Sequence, residues 1–237
     1  MKLKQLILGS AAVVAGAWAL ASCGGGNASK DSLFGEIPGA YEEKLVDLTQ
    51  ELSKLKEKGE GEGDLKTAMQ GIASIVESFE KMEEEFQPMA DKMVGRTLPY
   101  TEADGLPYKI VSDIKVEKVR LPEYAFFGGG ERPLRLDVVF DAVMTQASDE
   151  TIVQYYYLMD DDTPICAETT SGFLAPLAEG DTLHVEETIY APEIPAKYIN
   201  GCNRLKFVSK QTYDAEKDAI NEQEKQWKKE REAMLGE

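Results

Sequence analysis

The stretch from residue 134 to residue 145 sets the tightest limit on the fold. Leu134, Leu136, Val138, Phe140, Ala142 and Met144 alternate with Arg135, Asp137, Val139, Asp141, Val143 and Thr145. Successive side chains of an extended strand point to opposite faces, so this is a strand with one fully apolar face. Such a face has to be covered by a second layer. Weaker period-two runs at 108–120, 151–159, 165–169, 182–190 and 204–209 can supply it. Between them lie turn formers: Gly128-Gly129-Gly130, Ser148-Asp149-Glu150, Asp160-Asp161-Asp162-Thr163-Pro164, Glu179-Gly180-Asp181 and Asn200-Gly201. Short strands at this spacing predict an antiparallel sandwich of immunoglobulin-like type over residues 96–210, without the Cys-Trp-Cys pattern of antibody domains.

Before residue 96 the period is helical. Tyr41, Leu45, Leu48, Leu52 and Leu55 are spaced 4-3-4-3, and so are Leu65, Met69, Ile72, Val76 and Phe79, with Phe86 on the same side. Gly59, Gly61 and Gly63 interrupt the helix and Asp64 can cap a new one. Two seams joined by a short glycine-rich link predict an antiparallel α-helical hairpin over 39–95, with Pro88 ending or kinking its second helix near Gln87. A last helix follows over 211–237, capped by Thr212. Its Tyr213, Ile220, Trp227 and Met234 recur every seven residues, a narrow stripe that needs a partner, and the hairpin is the expected one. The fold class read from the sequence is therefore α+β.

The 237 residues carry a formal charge of -17, and acids outnumber bases in every part of the chain after residue 30. Without clustered cations a nucleic-acid partner is not expected. The first residues depart from the acidic rule. Lys2 and Lys4 precede an apolar run over 6–19, which has the length of a secretory signal and is too short to span a bilayer. Leu20-Ala21-Ser22-Cys23 follows and resembles the lipobox of bacterial lipoproteins.

That resemblance implies that residues 1–22 are a signal peptide and that Cys23 becomes the first mature residue, carrying a diacylglycerol on sulfur and an acyl chain on its amine. Several chains hold a protein to a membrane stably where a single one does not. Gly24 in place of an Asp implies outer-membrane sorting, and the absence of an acidic run after Cys23 implies a pose facing the periplasm. Residues 23–38 then read as a flexible tether reaching about 20 Å. The stretch 177–209 loosely resembles the last strands of Ig-like domains in lipoproteins of unknown function.

The remaining candidates are few. Cys166 and Cys202 are either a disulfide, as an export compartment invites, or two buried core thiols. The triplet 160–162 lacks the alternating ligands and the glycine of a calcium loop and reads as a solvated turn. His184 is the single histidine, without the spacing of a zinc or triad site, and Gly128-Gly129-Gly130 lacks the residues of a phosphate loop. Tyr155-Tyr156-Tyr157 must turn at least one ring outward and is a candidate contact surface. No catalytic residue, metal or cofactor is expected. The reading is a non-catalytic binding or scaffolding module, with the membrane and a protein partner or self-association through the helices as its contacts. The alternatives are a helical spacer or oligomer, and a carboxylate-based hydrolase, which would show two converging carboxylates in a cleft.

Overall fold

The computed structural model describes residues 32–59, 65–125, 130–170 and 172–235. The signal segment, Cys23, the tether up to residue 31, residues 60–64 and Gly128-Gly129 lie outside the described residues. Two long helices come first, α1 (Ile37–Gly59) and α2 (Leu65–Met93). Eleven strands follow in order: β1 (Thr97–Leu98), β2 (Tyr100–Glu102), β3 (Tyr108–Ile110), β4 (Ile114–Arg120), β5 (Glu123–Ala125), β6 (Gly130–Arg132), β7 (Arg135–Met144), β8 (Tyr155–Asp160), β9 (Thr163–Thr169), β10 (Thr182–Tyr190) and β11 (Arg204–Val208). A one-turn helix α3 (Ala196–Ile199) precedes β11, and α4 (Lys210–Leu235) closes the chain.

β7 is the spine of the first sheet, whose order is β1-β4-β7-β10, with β3 also paired to β7. Its residues alternate without a break between half-buried and buried, and Leu136, Val138, Phe140, Ala142 and Met144 are all at most 4% exposed. The second sheet has the order β2-β11-β8-β9, antiparallel except that β2 runs parallel to β11. The two sheets face each other across one core, where the Phe140 and Phe207 rings lie 6.0 Å apart. β5 and β6 make a separate two-stranded hairpin. The molecule is thus α+β, built on two facing sheets and long helices.

The helical hairpin is rooted in that same core. Leu33, Phe34 and Ile37 ahead of α1, or at its start, join Ala90 and Met93 at the end of α2 among the core residues of the sheets, so residues 32–38 are seated in the fold and are not the end of the tether expected over 23–38, because their apolar side chains are buried. Gly35 turns the chain there with φ +63, and a Cβ on it would stand 3.3 Å from the Met93 sulfur, so both backbone and space call for glycine. Further out, Tyr41, Leu45 and Leu48 pack against Met82 and Phe86, and Lys44 pairs with Glu85 at 3.1 Å. Early α1 therefore lies on late α2, as an antiparallel pair requires. The side chains of Leu52, Leu55, Leu65, Met69, Ile72 and Val76 fall outside the described set.

Pro88 does not end α2, which runs on to Met93. Phe86, Ala90 and Met93 are each at most 4% exposed, and their burial outweighs the one backbone hydrogen bond a proline removes. Ser209, not Thr212, caps α4: its hydroxyl accepts the Thr212 amide at 3.2 Å, one turn ahead of the cap expected from the sequence.

The larger correction concerns where α4 goes. It lies on the outer face of the second sheet, with Tyr213 against Tyr155 and Tyr157, and Ile220 buried among Tyr157, Met159, Ala167 and Val208. Its C-terminal end reaches the hairpin, where Leu235 joins Tyr41, Leu45, Leu48, Met82 and Phe86. Met234, the expected fourth stripe residue, is 46% exposed. A straight helix drifts about 20° per heptad, so after three heptads the inward position has passed to the next residue.

Trp227 stacks on Tyr198 at 4.4 Å and 25°. In the chain carrying Trp18→Phe, so that Trp227 is the one indole, emission should be blue-shifted and poorly quenched by iodide. Trp227→Ala should cost about 2–3 kcal/mol, which denaturant titration would measure.

Candidate functional site

Two features lie where the elements meet. The first is an open cleft at the foot of the hairpin. Proline fixes φ and gives up its amide, which suits it to the stiff, irregular connections that wall this cleft. Pro38 and Tyr41 come from α1, Pro122 and Pro133 flank the β5–β6 hairpin, and Pro192 and Ile194 follow β10. Glu42, Glu193 and Arg231 supply its charged groups, and Glu42 also accepts the Ala196 amide at 2.9 Å, fastening α1 to α3. The walls are apolar and the charged groups few, an arrangement that fits one apolar side chain of a partner better than a polar metabolite.

The second feature is a titratable cluster between β9 and α4. Cys166 and Glu168 stand two residues apart on β9 and so share a face, and Glu224 reaches them from α4. The Cys166 Sγ lies 3.2 Å from Glu168 Oε1 and 3.5 Å from Glu224 Oε2. Lys228 bonds the other side of Glu224 at 2.9 Å, and the Glu224 side chain is 13% exposed. Burial, with the two carboxylates beside it, drives the Cys166 thiol far up, so it stays protonated. Burial also raises Glu168, the Cys166 hydrogen bond opposing, with the Glu224 charge adding to the rise.

The candidates from the sequence fall as follows. Cys23 lies outside the described residues. Cys166 and Cys202 are both free and buried, so the disulfide considered above is not formed. Each thiol has its own site: Cys166 in the acidic seam, Cys202 3.7 Å from the Tyr198 carbonyl, with burial and Asp160 pushing it up to about 12. Alkylation of the native protein without reductant should therefore be slow at both and complete in denaturant. Resistance of both in denaturant would show them bonded to each other.

Asp160, Asp161 and Asp162 form the β8–β9 turn and hold β11 in place. Asp161 accepts from Asn203 at 2.7 Å and Asp162 from Arg204 at 2.9 Å. A Cβ at Gly201 would fall 2.4 Å from the Asp160 carboxylate, so a larger residue there would push that side chain aside. His184 sits exposed on β10 across from Asp141, 2.8 Å away, and that hydrogen bond raises its pKa. Among the described residues no group of three or more His, Cys, Asp or Glu is arranged to hold a metal ion. The three tyrosines do not form an open contact surface: Tyr156 enters the inter-sheet core, and α4 covers Tyr155 and Tyr157.

Sequence reasoning missed the acidic seam. The i, i+2 spacing of Cys166 and Glu168 was visible, but Glu224 lies 58 residues further on and reads there as one acid among many. No known family model, curated protein or solved structure matches the chain.

Proposed function

We propose that this is a lipid-anchored protein of the bacterial cell envelope, held at Cys23 and acting as a non-catalytic binding or scaffolding module. The observation that supports this reading best is the seating of residues 32–34. Ser32, Leu33 and Phe34 are all 0% exposed, the Leu33 amide donates to the Cys202 carbonyl at 2.7 Å, and the Arg96 guanidinium donates to the Ser32 carbonyl at 3.2 Å. This stretch is locked between the helices and the sheets. A tether drawn toward a membrane would therefore pull on the centre of the fold and leave its surfaces presented.

The sorting signal next to Cys23 favours the outer membrane and a pose facing the periplasm. No helix among the described residues is long and apolar enough to cross a membrane. We read the sandwich as immunoglobulin-like in type. Two sheets facing over one core and the parallel pairing of β2 with the last strand support that, while β11 pairing with β8 rather than with its predecessor β10 departs from it. The hairpin, about 35 and 44 Å of helix at 1.5 Å per residue, suits contact with a protein partner or with a second copy. Glu168 and Glu224 do converge, as a hydrolase would require, but they meet beneath α4 around a thiol, and the non-catalytic reading is preferred.

Intact-mass measurement on protein extracted from membranes tests the anchor. The expected species starts at Cys23 and carries a diacylglycerol. An unlipidated chain starting elsewhere would overturn the proposal.

A further inference from the structure

We propose that Glu168, Cys166 and Glu224 form a proton-operated clasp that holds α4 on the second sheet, closed in mild acid and loosened when Glu168 gives up its proton. The clasp lies in the seam between α4 and β9 and does not rest on the lipid anchor.

The geometry carries the argument. A thiol has one hydrogen, and two carboxylate oxygens stand 3.2 and 3.5 Å from the Cys166 sulfur. It serves one of them at a time. With Glu168 protonated, the cluster gains a second hydrogen to share and keeps a single negative charge, Glu224, which Lys228 balances at 2.9 Å. With Glu168 ionised, a second carboxylate charge sits in the same half-buried seam and repels the first.

Of the groups facing Glu168, Cys166 by its hydrogen bond and Lys228 by its charge ease that charge, and they do not outweigh burial and the Glu224 charge. From its own strand comes Cys166, whose thiol stays protonated. Tyr156 stands opposite on β8 and Tyr213 faces it from α4; burial raises both phenols, so they remain neutral. Glu224 and Lys228 complete the set from α4, and Lys228 is already bonded to Glu224. A carboxyl whose folded pKa lies above its unfolded one stabilises the docked state below the unfolded value. That contribution is lost as pH rises through the folded value. Loosening α4 lifts Tyr213 and Ile220 from Tyr155, Tyr157, Met159, Ala167 and Val208, and so uncovers an aromatic and apolar face.

Hydrogen exchange of the full chain in detergent, read by mass spectrometry and corrected for the intrinsic pH dependence of amides, tests this. Protection of residues 213–235 should fall as pH rises from the ordinary carboxylate range to pH 8, because the docked Glu168 holds its proton to higher pH than a free carboxyl does. Protection of β7 should stay constant. Glu168→Gln should abolish the fall and keep α4 protected at pH 8. Equal α4 protection at both ends of that range, or a fall that Glu168→Gln retains in full, would overturn the clasp. If Glu168→Gln does not fold, Glu224→Gln decides. It removes the repulsion and frees Lys228 for Glu168, so the fall should shrink, and an undiminished fall would overturn the proposal.

Discussion

Phe34→Ala is expected to lower the unfolding free energy by about 3–5 kcal/mol. The side chain is fully buried where the start of α1, the end of α2 and the two sheets share one core, so truncation leaves a hole among both helices and sheets. Such a site collapses poorly, because closing the hole would require helices and sheets to move together. The loss is a large share of the roughly 5–15 kcal/mol available to a domain. Denaturant titration should show one transition moved to lower concentration, the helices and the sheets melting together. An unchanged midpoint would mean that the chain after the tether is not locked into the fold.

Leu45→Asp should cost a comparable amount, about 3–5 kcal/mol, by a different route. Leu45 is 4% exposed and sits among Tyr41, Leu48, Met82, Phe86 and Leu235. The substitution deletes buried methyl groups and places a carboxyl in an apolar seam. Leu235 belongs to the same cluster, so the end of α4 should loosen with the hairpin, and exchange should rise in residues 230–235 as well as in α1. Loss confined to α1, with α4 unaffected, would show that the terminal helix does not bridge the two parts.

What the sequence revealed follows from what periodicity encodes. β7 and β10 were legible because a sheet with one buried face imposes strict alternation, and their nine-pair register runs without a slip. The described part of the helical seam, Tyr41, Leu45, Leu48 and Phe86, was legible for the same reason at a period of three to four. β1 and β2 are two and three residues long, too short for any period, and exist because distant partners stand beside them: Leu98 against Ile114, Tyr100 against Leu205. The β5–β6 hairpin escaped for the same reason. The stripe on α4 announced that a partner was needed without saying which. A row of Tyr, Ile and Trp fits an aromatic sheet face as well as a helical seam, and the sheet was preferred because Tyr155 and Tyr157 needed cover. Pro88 misled because a proline's local cost was weighed without the three buried neighbours on its helix.

The candidate site was less legible than the fold. Cys166 and Cys202 could be read as a pair or as two separate thiols, and the choice depends on three-dimensional neighbours. Cys166 is held by carboxylates from β9 and α4, and Cys202 by the Tyr198 carbonyl. The stretch Leu20-Ala21-Ser22-Cys23, which we propose to be a lipobox, is the opposite case, a local pattern that needs no tertiary context to be read.

The proposed anchor at Cys23 is the centre of the account, and fractionation of Cys23→Ala tests it most directly. Wild type should pellet with membranes after a high-salt wash, since salt removes charge-held proteins but leaves acyl chains in place. Cys23→Ala should lose that association while unfolding at the wild-type denaturant concentration. Retention of the variant in the washed membrane fraction would contradict the account.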